Sequence, residues 1–152
     1  MTEKDIDIVK ASEVPRLVEV WEAAVRATHH FLSEADIEIF KPMVRDGLYG
    51  SLEMACIRDA NGRVAGFIGV AGNKIEALFV HPLQRGTGIG RRLAEYAIRR
   101  WNVTEVDVNE QNAQAIGFYE KLGFRTQGRT AVDGLGKPFP LLHMRLVRTA
   151  MD

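Results

Sequence analysis

The apolar positions change period twice along the chain, and each change marks a different kind of element. Near the N-terminus Ile6 and Ile8 alternate with Asp7 and Val9, a weak strand signal over residues 5–10. Ser12 then reads as an N-cap, with Pro15 in the first turn, where its missing N–H costs little. Val14, Leu17, Val18, Trp21 and Val25 follow at helical spacing and predict an amphipathic helix running to about Thr28. Ser33 and Asp36 fit a capping signal for a second helix, striped by Ile37, Phe40 and Val44. Pro42 inside that stripe predicts a kink or a split.

The middle of the chain turns to period two. Leu52, Met54 and Cys56 alternate with Glu53 and Ala55 as a half-buried strand. Asn61-Gly62 is a favoured dipeptide of two-residue hairpin turns, and residues 64–70 supply the partner strand. Gly72-Asn73 turns again into a third strand over residues 75–80, which makes an antiparallel meander. Beyond it the order is loop, helix, strand, helix, strand. Ile89, Leu93, Tyr96, Ala97 and Arg100 trace one helix, and Thr104, Val106 and Val108 the next strand. Asn112 caps a helix carrying Ala115, Phe118, Tyr119 and Leu122, which Gly123 ends. Strands over residues 124–129 and 141–147 close the chain. The predicted fold is α/β: a mixed sheet, antiparallel meander followed by β-α-β-α-β, with helices on both faces.

The 152 residues carry no repeat and no low-complexity linker, so a single domain over residues 1–152 is expected. Hydrophobic residues at 46% and charged residues at 26% argue against disorder. Twenty Lys and Arg balance twenty Asp and Glu, which disfavours non-specific nucleic-acid binding because phosphate contacts need a cationic excess. Cys56 is the lone cysteine, which excludes an intrachain disulfide and argues against a Cys-based zinc site. No signal peptide and no apolar run long enough to span a membrane are visible, so a cytoplasmic protein is expected.

Chemistry concentrates where the third strand ends. Three close glycines, Gly86, Gly88 and Gly90, follow the strand and open directly into a helix. Such backbone can turn N–H groups inward, and the helix start adds partial positive charge. Arg85, Arg91, Arg92, Arg99 and Arg100 stand in this region against Glu95 alone, so a di-phosphorylated ligand is expected. A nicotinamide or flavin site fails because Arg91 leaves no G-x-G-x-x-G. A P-loop fails because the one Gly-Lys pair, Gly136-Lys137, precedes Pro138. A glycine turn without ligand stays open on the residues alone.

Arg85-x-x-Gly88-x-Gly90 between strand and helix resembles the acetyl-CoA signature of the GNAT N-acetyltransferases. The order of elements agrees, as does Asn112-x-x-Ala115-x-x-Phe118-Tyr119-x-x-x-Gly123-Phe124. The resemblance covers the whole chain. It implies that Arg85, Gly86, Thr87, Gly88, Ile89, Gly90 and Arg91 hold the cofactor's phosphates. It further implies that the backbone of Leu78, Phe79 and Val80 pairs with the pantetheine arm as with an added strand. The implied activity is direct acetyl transfer to a primary amine in a ternary complex. Residues 28–33, 109–112 and 135–142 resemble a bacterial acetyltransferase within the family, which tilts the acceptor toward a protein lysine. A polyamine or antibiotic amine stays open, as do a non-catalytic acyl-CoA sensor and a homodimer.

Within that chemistry Tyr119 suits the general acid, since a phenol stays protonated as a thiolate leaves. Asn112 and Tyr119 lie two turns apart and share a helix face, so both can line the cofactor; an N-cap and a core-edge ring are the plainer roles. Glu76, expected to share a strand face with Leu78 and Val80, is a candidate base or a solvated charge. Trp21 and His29 are candidate walls of the acceptor cleft. His29 and His30 point about 100° apart on a helix and lack carboxylate-His spacing, so no metal site is expected. His81 and His143 read as structural, and Cys56 as a small buried hydrophobe.

Overall fold

The computed structural model describes residues 5–48 and 50–147. The strands are β1 (Ile6–Asp7), β2 (Glu53–Arg58), β3 (Val64–Ala71), β4 (Lys74–Val80), β5 (Glu105–Asn109), β6 (Phe124–Thr130) and β7 (Leu141–Leu146). The helices are α1 (Val14–Thr28), α2 (Glu34–Leu48), α3 (Ile89–Trp101) and α4 (Ala113–Leu122). The strands form one seven-stranded sheet in the order β1-β2-β3-β4-β5-β7-β6. β4 and β5, joined through α3, are the parallel pair, and the other neighbours run antiparallel.

Helices cover both faces of the sheet. α3 and α4 close a core around Ile68, Leu93, Val103, Phe124 and Met144. α1 packs Leu17 and Val20 against Phe67 and Cys56 on the opposite face. Trp21, Val25 and Ile37 join α1 to α2. Removing side chains of this size from water stabilises the fold by roughly 1.5–3 kcal/mol each.

Several local expectations are corrected. β2 is covered on both faces, so Ala55, Cys56 and Ile57 are all buried and the strand is not half-exposed. Ser12 lies in a short 3-10 turn, Ala11–Glu13, and does not cap α1. The Lys10 N–H instead bonds the Glu13 carboxylate at 2.9 Å, and Pro15 sits in the first turn. Ser33 and Asp36 do form the reciprocal cap, with bonds of 3.0 and 3.1 Å. α2 continues through Pro42 unsplit. The β2–β3 hairpin has a three-residue loop: Asp59 N–H donates to Arg63 C=O, and Gly62 takes φ +79°. Gly72, at φ +62°, makes the two-residue turn that leaves Ala71 opposite Lys74.

Candidate active site

The site is opened by irregular pairing of β4 on both sides. Against β3, Gly69 faces Ala77 and Val70 faces Ile75, so Glu76 is an extra residue in a β-bulge. Against β5, only Lys74 and Ile75 are paired. Beyond Ile75 the two strands part.

The bulge resets the alternation of side chains. Ile75, Leu78 and Val80 pack toward α3 and α4, whereas Ala77 and Phe79 pack toward α1. Glu76 lines clefts with Trp21 and Phe79 and does not share a face with Leu78 and Val80, as strict alternation would require. The backbone follows the same logic. His81 N–H bonds Ala65 C=O at 2.8 Å, so regular alternation also turns the Phe79 N–H and C=O toward Phe67. Leu78 and Val80 are left to present their backbone groups to the gap, and Phe79 contributes its ring.

Two clefts meet across this gap. The first runs from Leu78 and Val80 past Gly90 to Asn112, Phe118 and Tyr119 on α4. The second lies on the α1–α2 side, between Trp21, Phe40, Glu76 and the β6–β7 loop residues Leu135 and Phe139. His29 and Phe79 border both. Trp21 and His29, expected from the sequence as cleft walls, line the second cleft, and the loop wall had no signal in the sequence reading. There Asp133 Oδ1 accepts the Leu135 and Lys137 N–H groups, both at 2.9 Å, and Phe139 meets Phe31 at 5.6 Å.

At the mouth of the first cleft the glycine loop has a geometry that could hold an anion. Gly86 and Gly88 take φ +80° and +84°, where a side chain would be strained. Among the described residues, the backbone N–H groups of residues 86–91 find no protein acceptor. That run of donors opens into the N-terminus of α3 and suits a pyrophosphate. Ile89 offers only its N–H, because its side chain is buried. Gly90 is helical, and a Cβ there would touch Val80 and Phe118 at 3.5–3.6 Å without clashing.

The arginines are more dispersed than the sequence implies. Arg85 lines the cleft. Arg91 pairs with Glu95 at 3.1 Å and Arg92 with Asp5 at 2.7 Å. Arg99 and Arg100 stand in the last turn of α3, away from the loop, where they complement the helix dipole.

Tyr119 is buried, edge-on to Phe118 at 5.0 Å and Phe124 at 5.6 Å. Burial pushes its pKa well above 10. Among the described residues its hydroxyl makes no hydrogen bond and is not sealed from the cleft that Tyr119 lines. Asn112 is also buried and caps α4 by accepting the Ala115 N–H at 3.1 Å. Its amide nitrogen lies 3.4 Å from His29 Nε2. Burial first, and then repulsion from His30, lowers the His29 pKa below 6.5.

The remaining singled-out residues lie elsewhere. His143 joins Asp107 at 2.7 Å and contacts Thr130, and Lys74 reaches the same carboxylate at 2.5 Å. His81 accepts the Leu83 N–H at 3.2 Å as a turn cap. Cys56 is fully buried, its thiol pushed up to about 11 by desolvation. No group of three metal-ligating side chains occurs among the described residues. No helix among them is long and apolar enough to cross a membrane.

Comparison with known proteins agrees with this geometry. The family described as Acetyltransferase (GNAT) domain matches residues 29–147. The chain is 42% identical over 132 residues to peptidyl-lysine N-acetyltransferase YjaB of Salmonella typhimurium, covering 87% of this chain and 90% of that one. Its fold matches the solution structure of apo-form YjaB from Escherichia coli with a TM-score of 0.85 and 38% identity, over 95% of this chain and 97% of that chain. The fold also resembles the PaiA N-acetyltransferase of Thermoplasma acidophilum in complex with coenzyme A. That match has a TM-score of 0.69 and 21% identity over 93% of this chain and 98% of that chain.

Proposed function

The chain belongs to the GNAT acetyltransferase family and is an N-acetyltransferase that uses acetyl-CoA, and on that premise we propose that it acetylates protein lysine side chains by direct transfer. The observation that carries this reading is the meeting of two clefts at His29 and Phe79. Such a meeting lets thioester and amine be held together, which converts a bimolecular encounter into an oriented one. The likeness to a peptidyl-lysine acetyltransferase supports the acceptor class. The second cleft fits that class, with aromatic walls for a lysine's methylenes and Glu76 to attract its ammonium. We place the protein in the cytoplasm, a reading in keeping with its single, unpaired cysteine, Cys56.

In this mechanism the N–H groups of residues 86–91, with Arg85 and Arg91 beside them, bind the pyrophosphate. The backbone of Leu78 and Val80 pairs with the amide-bearing arm, Asn112 and the Phe79 ring border it, and a β4 N–H polarises the thioester carbonyl. Tyr119 gives its proton to the departing thiolate.

The test is an acceptor panel: a lysine peptide, a lysine-free peptide with a free N-terminus, a polyamine and an aminoglycoside. CoA release and product mass would be followed. Acetyl transfer to the lysine side chain is expected. Transfer to the small amines alone would overturn the acceptor class, and CoA binding with no transfer to any amine would leave an acyl-CoA sensor.

A further inference from the structure

We propose that His29 is the general base of the transfer, accepting a proton from the acceptor ammonium at Nε2. This rests on the acetyltransferase reading above. Two residues border both clefts, His29 and Phe79, and of these only His29 can carry a proton. Glu76 lines the acceptor side but not the cofactor side.

The hydrogen bonds around His29 fix which ring nitrogen holds the lone pair. Thr28 Oγ1 donates its one proton to Ala24 C=O at 2.8 Å. Its contact with His29 Nδ1, also 2.8 Å, must therefore take a proton from the ring. On the other side Asn112 Oδ1 is committed to the Ala115 N–H, which turns the Asn112 amide NH₂ toward His29. The ring is thus the Nδ1–H tautomer with its lone pair on Nε2. The Asn112 contact at 3.4 Å is long for a hydrogen bond, so an approaching N–H can displace it.

The surroundings keep that lone pair free near neutral pH. Burial at the end of α1 and the adjacent His30 both disfavour the imidazolium. The charged groups that line the two clefts with His29 are Arg85 in the cofactor cleft and Glu76 and Asp133 in the acceptor cleft. Asp133 is occupied by two backbone N–H groups of its own loop.

The proton balance closes with Tyr119. One ammonium proton passes to Nε2, and the freed lone pair forms the C–N bond at the thioester carbonyl carbon. The C–S bond breaks as the Tyr119 O–H proton moves to sulfur. A second nitrogen proton refills Tyr119, the third stays on the amide, and His29 later releases its proton to water.

The experiment uses the full chain with acetyl-CoA and whichever amine of the acceptor panel turns over. It compares wild type, His29→Gln and His29→Ala from pH 5 to 9, with acetyl-CoA Kd and melting temperature on each preparation. In wild type, kcat/KM should fall on the acid side with a single ionisation. His29→Gln should lose that limb and about 10²-fold in kcat/KM at pH 8, with acetyl-CoA Kd within about threefold. Added imidazole should restore part of the His29→Ala rate. A His29→Gln enzyme that keeps its rate and its acid limb would overturn the proposal. So would a loss that tracks weakened acetyl-CoA binding or stability and resists imidazole, since His29 would then merely hold Asn112. If wild type transfers to no amine, the transferase reading itself fails, a separate result from an active enzyme indifferent to residue 29.

Discussion

Replacing Tyr119 by Phe removes one oxygen from a ring whose packing is otherwise untouched. The edge-on contacts with Phe118 and Phe124, at interplanar angles of 83° and 79°, need only the ring. The hydroxyl has no protein partner among the described residues, so its loss breaks no hydrogen bond among them. Stability should therefore change by less than about 1 kcal/mol. Burial raises the pKa above its ordinary 10, so the phenol is fully protonated at working pH. The sign for stability follows: the contribution is complete below pH 10 and is lost as pH rises above it. Tyr119→Phe should lack that alkaline decline. Its catalytic cost should be that of a missing general acid, about 10²–10⁴-fold in kcat or roughly 3–5 kcal/mol of barrier. The assay is kcat with a lysine peptide beside acetyl-CoA Kd and a thermal melt on one preparation. A kcat within about threefold of wild type, with chemistry limiting, would refute the assignment and move the proton to a bound water.

Other substitutions probe the cradle and the frame. Gly88→Ala should cost about 1 kcal/mol for its φ of +84°, with nothing within 4 Å to clash, so calorimetry should find a folded protein that binds CoA more weakly. Gly90→Asp should abolish CoA binding in a folded protein, because the carboxylate projects from the cleft floor beside Val80 and Phe118; unchanged affinity would remove the loop from the site. Arg85→Ala should weaken CoA about fivefold and flatten the salt dependence of Kd, whereas Arg99→Ala should do neither. Asp107 is partly buried, which raises its pKa, but Lys74 and His143 outweigh this and leave it below 3.8. The resulting stability is present above pH 3.8 and lost as pH falls below it through the depressed folded-state value, so Asp107→Asn should cost about 1 kcal/mol at pH 7 and less at pH 3, read by thermal melts at both.

What the sequence disclosed depended on whether a feature was local. α1, α4 and the glycine turns are written in short-range spacing, and Asn112 with Tyr119 came out as one face because seven residues make two turns. The insertion of β7 between β5 and β6 is a long-range choice that no local period encodes. The dispersion of the arginines escaped for a related reason. A count along residues 85–100 treats both ends of a helix as one place, although at about 1.5 Å per residue they stand far apart. His29 was legible as a cleft residue, but its tautomer depends on Asn112, which lies 83 positions away.

The least legible feature is the one on which the site depends. Strict alternation along β4 places residues 76, 78 and 80 on one face, and by that rule Glu76 would point toward α3 and α4. One unpaired residue reverses the assignment, just as a one-residue slip exchanges the faces of a strand. The bulge puts Glu76 in the second cleft, the proposed acceptor side, and keeps Leu78 and Val80 against the α3–α4 core. The same stretch of β4 stops pairing with β5 after Ile75, leaving backbone donors and acceptors unfilled in the middle of the sheet. A soluble domain rarely tolerates such groups without a partner. In the mechanism we propose, an extended, amide-bearing ligand is that partner, and the irregularity that defeats sequence periodicity is then also what lets the sheet bind it.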